Sequence, residues 1–136
     1  MSVITDIFII SPYEHKRPAA DTGLNLYVSK TIAHICLGDL RGFDELYDRF
    51  MKCFSEETPF SIYYDFYDVN LDKAVWNDIS KDAYGNRLRL APDLDNLLAC
   101  AKEMQAIDHE YRSNAFVGLI ESCKDEPNIQ FVLYQH

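Results

Sequence analysis

Three side chains in the stretch YYDFYDVNLDKAVWND, residues 63–78, have the type and spacing of cation ligands. Asp68, Asn70 and Asp72 alternate as the first oxygen donors of an EF-type calcium loop do. Such a loop also needs glycine at its sixth position for the sharp turn and a bidentate carboxylate at its twelfth. Counting from Asp68, Val75 falls on the aliphatic eighth position, but Lys73 stands at the sixth and Ile79 at the twelfth, with Asp78 one place early. An ammonium beside the donors repels a divalent cation and the strongest ligand is missing, so the stretch reads as an acidic surface segment with no bound metal.

Other chemical patterns fail for equally specific reasons. HEYRS at 109–113 opens like the zinc-protease pattern H-E-x-x-H, but Ser113 stands where the second histidine is needed, which leaves His109 as a solvated side chain. His34 and Cys36 are close enough in sequence to suggest a thiol–imidazole pair. On a helix, residues two apart point in different directions, whereas in a strand they share a face, so excluding a thiol enzyme depends on reading this segment as helix. His15 sits in a basic turn with Lys16 and Arg17 and has no identifiable partner. The glycines at 23, 38, 42, 85 and 118 form no G-x-G-x-x-G, P-loop or G-x-S-x-G pattern, so nucleotide-dependent chemistry has no support. Cys36, Cys53, Cys100 and Cys123 make no C-x-x-C pair and read as buried thiols of a reducing cytoplasm, with no N-x-S/T acceptor to suggest secretion. No cofactor and no enzymatic activity are expected from these residues.

The elements that must position such side chains follow from periodicity. Val3 to Ile10 is rich in β-branched residues and reads as a buried strand stopped by Ser11-Pro12. A charged surface loop, YEHKRPAADTG, follows. Leu24, Tyr27, Val28, Thr31, Ile32 and Ile35 recur at helical spacing with Gly38 as a stop and are read as a helix, although LNLYVSK also alternates like a strand; Phe43, Leu46, Tyr47, Phe50, Met51 and Phe54 repeat the helical pattern. Phe60, Ile62, Tyr64 and Phe66 then alternate as in a half-buried strand, which runs out into an exposed acidic loop around Trp76. Leu88 and Leu90 suit a short strand, residues 93–111 a long helix beginning near Pro92, and Phe116, Val117, Ile120 and Cys123 a further helix capped by Ser113 or Asn114. Ile129 to Tyr134 closes the chain as a strand. The order predicts an α+β fold: a small, mostly antiparallel sheet of roughly three to four strands with about four helices packed on one face. With 136 residues, 48% of them hydrophobic, a single globular domain over 1–136 is expected.

Charge narrows the partners. The 22 acidic and 13 basic side chains leave a net charge of −9, a field unsuited to nucleic acid or anionic membrane surfaces and suited to a basic protein or protein complex. No run is long or apolar enough to span a bilayer, and a cytoplasmic monomer or homodimer is expected. Residues 56–82 concentrate this charge: Glu56, Glu57, Asp65, Asp68, Asp72, Asp78 and Asp82 stand against Lys73 and Lys81 alone, beside Phe60, Tyr63, Tyr64, Phe66, Tyr67 and the sole tryptophan, Trp76. Aromatic rings supply contact area at low entropic cost, and carboxylates orient a basic partner. The candidate contacts are therefore Tyr63, Asp65, Tyr67, Asp68, Asp72, Trp76 and Asp78. The leading expectation is a small acidic inhibitor, of the physical type of toxin-immunity and phage anti-defence proteins, that occludes a basic nucleic-acid-binding or catalytic surface. The alternative is a small-molecule enzyme or ligand-binding domain with a pocket between sheet and helices, using His15 or His34.

Overall fold

The computed structural model describes residues 3–14, 27–58, 61–68, 70–108 and 110–136, with 12–14, 27–30, 61, 63–68 and 74–78 described by their backbone course. Its elements in chain order are β1 (Thr5–Glu14), β2 (Tyr27–Gly38), a 3₁₀ turn (Arg41–Phe43), α1 (Glu45–Lys52), β3 (Glu56–Glu57), β4 (Ser61–Asp68), β5 (Lys73–Ile79), β6 (Arg89–Leu90), α2 (Leu94–Ile107), α3 (Tyr111–Cys123) and β7 (Gln130–Gln135). The strands form one sheet in the order β3-β6-β7-β1-β2-β4-β5. All described pairings are antiparallel except β2 with β4, which run parallel through Val28, Ser29 and Lys30 opposite Ser61, Ile62 and Tyr63. The α+β class is as expected, but the sheet is larger and the helices fewer: β1, β2, β4, β5 and β7 are full strands, and α1, α2 and α3 are the α-helices.

The largest departure lies in the segment read as the first helix. Tyr27–Gly38 is a strand, paired with β1 from Glu14 opposite Tyr27 to Thr5 opposite Gly38. The three-and-four spacing of Val28, Thr31, Ile32 and Ile35 arises from β-branched residues that also favour strands. The period that decides is two: Ile32, His34 and Cys36 are exposed, while Ala33 and Ile35 pack against the main core and Leu37 is buried in it. Likewise β1 continues past Ser11-Pro12 to Glu14, since Pro12 takes a register position opposite Ser29. Gly38 ends β2 at φ +72°, a left-handed conformation that only glycine adopts without strain.

Each face of the sheet has its own core. Ile7 and Ile9 of β1, Leu37 of β2 and Phe131 and Leu133 of β7 are buried with Leu46 and Phe50 of α1, Leu97, Ala101 and Met104 of α2, and Phe116 and Ile120 of α3. All three helices therefore pack on this face, where Phe50 meets Phe54 and Phe116 with ring centroids 5.3 and 6.2 Å apart. Phe8, Ile10 and Val132, on the alternate positions, form a smaller cluster with Ile62, Ile79, Leu88 and Leu90. The chain after β5 closes over this second face through the Thr58 amide donating to the Leu88 carbonyl and the Ala83 amide donating to the Gln135 carbonyl. Asp93 caps α2, its Oδ1 accepting from the Asn96 amide at 3.1 Å. The break at Asp108 and Glu110 separates α2 from α3, so Ser113 and Asn114 lie inside α3 and do not cap it.

Candidate functional site

The acidic aromatic stretch folds as an antiparallel hairpin. The exposed loop expected around Trp76 is instead the strand β5, preceded by turn residues 70–72. The β propensity of Val75 and Trp76 and a full ladder with β4 outweigh the local charge. The register pairs Tyr63 with Asp78, Asp65 with Trp76 and Tyr67 with Ala74. The alternate pairs are Ile62 with Ile79, which are buried, and Asp68 with Lys73. Tyr63, Asp65, Tyr67, Trp76 and Asp78 therefore fall on one parity of the ladder and Asp68 on the other. Asp72 lies exposed in the turn at φ +51°. The hairpin stands at one end of the sheet with β5 as its outermost strand.

A second constellation emerges from the strand identity of β2. Asp6 of β1 lies opposite Cys36 of β2 and Tyr134 of β7, while Phe8 lies opposite His34 and Val132. His34, Cys36 and Asp6 thus occupy one face of two adjacent strands, the face away from the helices. Asp6 is only 6% exposed. His34 Nε2 lies 2.8 Å from its Oδ1, His136 Nε2 bonds its Oδ2, and the Cys36 thiol bonds the same carboxylate. An ionised carboxylate only accepts, so both imidazoles carry their proton on Nε2 when they donate to it. The rings are held by stacking: His34 lies against Phe8 at 4.6 Å and His136 against Tyr134 at 5.1 Å. Neither Asp6 nor His136 stood out in the sequence, because three strands distant along the chain must pair before they meet.

The electrostatics of this cluster follow from burial opposed by donors. Burial pushes the Asp6 carboxyl up, but hydrogen bonds from His34 and His136, the charge of a protonated His34 and the Cys36 thiol together hold it below the ordinary carboxylate value. Cys36, expected to be a buried thiol, is exposed because its strand position turns it away from the helix-side core, and its thiol shifts the other way. Partial burial raises its thiol pKa, the charge of Asp6 and its hydrogen bond raise it further, and the Gly38 backbone and Arg112 offset this only in part. The helical geometry on which a thiol–imidazole pair was set aside does not hold, since His34 and Cys36 lie in a strand and share a face. Among the described residues no group of three or more His, Cys, Asp and Glu side chains is arranged to hold a metal ion. His15 and His109 lie outside the described residues.

Ala33 and Ile35, on the helix side of β2, line an open groove of about 420 Å³ with Tyr111, Ala115 and Leu119 of α3, and His34 and Cys36 border it. No helix among the described residues is long and apolar enough to cross a membrane. Comparison of the chain with protein-family models, curated proteins and solved structures gives no match.

Proposed function

We propose that the protein is a non-enzymatic binding protein whose acidic aromatic hairpin covers a basic site on another protein or protein complex. The observation that carries this reading is the β4–β5 register, in which Tyr63, Asp65, Tyr67, Trp76 and Asp78 share one parity of an outermost hairpin in a chain of net charge −9. Carboxylates at Asp65 and Asp78 stand two ladder steps apart with aromatic residues opposite each, Trp76 facing Asp65 and Tyr63 facing Asp78. That alternation of anion and ring suits a surface whose own cationic groups bind phosphates, with the carboxylates standing in for phosphate charge. The action is then steric occlusion of a nucleic-acid-binding or catalytic surface, as an immunity or anti-defence inhibitor acts.

Affinity capture from the native host at low and high salt, repeated with Asp65, Asp68 and Asp72 changed together to lysine, tests it. A basic protein retained at low salt, released at high salt and lost by the charge-reversed variant is the expected result. Retention and salt dependence that the reversal leaves unchanged would reject the hairpin as the contact surface.

A second reading, a small-molecule-binding α+β domain, draws on the Asp6–His34–His136 cluster beside the β2–α3 groove. Native mass spectrometry of the purified protein decides it: a co-purifying adduct that Asp6→Asn or His34→Ala removes supports this reading, and an adduct-free mass counts against it.

A further inference from the structure

The described cations are not distributed like the rest of the charge. Arg41, Arg49, Lys102, Arg112 and Lys124 each pair with a carboxylate. Lys52, Lys73, Lys81, Arg87 and Arg89 have no ion pair with any described residue, although acidic side chains outnumber basic ones by 22 to 13, and three of these five, Lys81, Arg87 and Arg89, form a group. The three lie together. Lys81 and Arg87 form an isolated antiparallel bridge, and Arg89 follows two residues later in β6. Leu88 and Leu90 are buried, so strand alternation assigns Arg87 and Arg89 to the opposite side from those leucines. With the Gly85-Asn86 turn and Glu57 they line one groove of about 500 Å³. A neighbouring groove shares Arg89 and adds Lys52.

Two acidic groups come close without neutralising the site. Asp82 is turned into its own loop: Oδ1 accepts from the Tyr84 and Asn86 amides, each at 2.9 Å, and Oδ2 from Asn86 Nδ2 at 3.4 Å. These bonds fix the backbone of the turn that joins Lys81 to Arg87. Glu57 stands opposite Arg89 in the β3–β6 register and is exposed, yet forms no ion pair with it. The groove therefore carries two guanidinium forks and an ammonium against the one carboxylate of Glu57.

The geometry points to a binding site for a compact ligand bearing one or two phosphoryl groups. Guanidinium forks match phosphate oxygens in pairs, and Lys81 adds a point charge beside them. The size of the ligand follows from two magnitudes. The groove volume lies within the range of roughly 300–1,000 Å³ typical of small-molecule sites. A long polyanion would extend beyond the three cations into the field of a chain of net charge −9, whereas a ligand shorter than the screening length of about 8 Å at physiological salt stays within their reach. This site is separate from the β4–β5 hairpin and stands or falls without it.

Calorimetric titration with inorganic pyrophosphate at constant ionic strength tests the assignment. Saturable binding is expected, weakened by about tenfold or more in Arg87→Ala and in Arg89→Gln, the loss of one charge-assisted contact each, and unchanged in Lys102→Ala. Arg87 is exposed, so its variant remains informative should Arg89→Gln fail to fold. Absence of saturation, or variants that bind as the unaltered protein does, overturns the site. A short single-stranded oligonucleotide bound at least about tenfold more tightly than pyrophosphate at the same ionic strength would overturn the small-ligand assignment in favour of nucleic acid.

Discussion

At the scale of single residues, Asp6 is the position where burial and charge are most finely opposed. Its carboxyl is held below the ordinary value in the folded chain, so the unfolded chain takes up the proton first as pH falls. The stability it contributes is full above the unfolded pKa of about 3.9 and is lost as pH drops through that value towards the folded one. Urea midpoints measured from about pH 6 to pH 3 are expected to fall, and Asp6→Asn is expected to cost about 1–3 kcal/mol at pH 6 while flattening the acid limb. A variant whose acid limb matches that of the unaltered protein would remove Asp6 from this role. The same carboxylate raises the Cys36 pKa, so Asp6→Asn should speed iodoacetamide alkylation of Cys36 at neutral pH by a few-fold, read by peptide mass spectrometry. None of this was legible in the sequence beyond the proximity of His34 and Cys36. Asp6 looks like one polar residue in an apolar strand, and its partners are 28 and 130 residues away.

At the scale of elements, local signals served helices better than strands. The run from Phe43 to Phe54 and the run beginning near Pro92 were readable because a helix closes its hydrogen bonds within itself, so periodicity and caps suffice. The Asp93 cap is a direct case: Asp93→Ala should lower stability by about 1 kcal/mol in chemical denaturation. Strand β2 was not readable in this way, because its backbone groups are satisfied by β1 and the register lies outside any local window. Gly38 carries the consequence. It was read as a helix stop, whereas it ends β2 at positive φ with the Arg112 guanidinium lying where a Cβ would project. Gly38→Ala should therefore cost about 1–2 kcal/mol by thermal or urea unfolding, and a neutral effect would show that the strand end relaxes freely.

At the scale of the whole molecule, charge is organised along the sheet. The order β3-β6-β7-β1-β2-β4-β5 puts the acidic hairpin at one end and, towards the other, Arg89 of β6 beside the exposed Glu56 and Glu57 of β3, so charges of both signs meet there. Net charge of −9 implies self-repulsion in the compact state, which salt screens. Raising sodium chloride from low to moderate ionic strength at neutral pH should lift the thermal midpoint by about 2–4 °C; a midpoint that falls with salt would mean that the ion pairs such as Arg49–Glu103 outweigh the repulsion.

Composition and periodicity alone determined the α+β class, the helices of the second half, an alternating strand through Ile62, Tyr64 and Phe66 and the place where acidic and aromatic residues concentrate. They sufficed there because helix hydrogen bonds, strand alternation and charge density are properties of contiguous residues. Tertiary structure decided that β2 is a strand, that the acidic stretch is a paired hairpin, that Asp6 gathers His34, Cys36 and His136, and that Lys81, Arg87 and Arg89 share one groove. Each of these depends on which strands lie side by side and in what register, and that choice is made by burying both faces of the sheet at once, which no single stretch of sequence specifies.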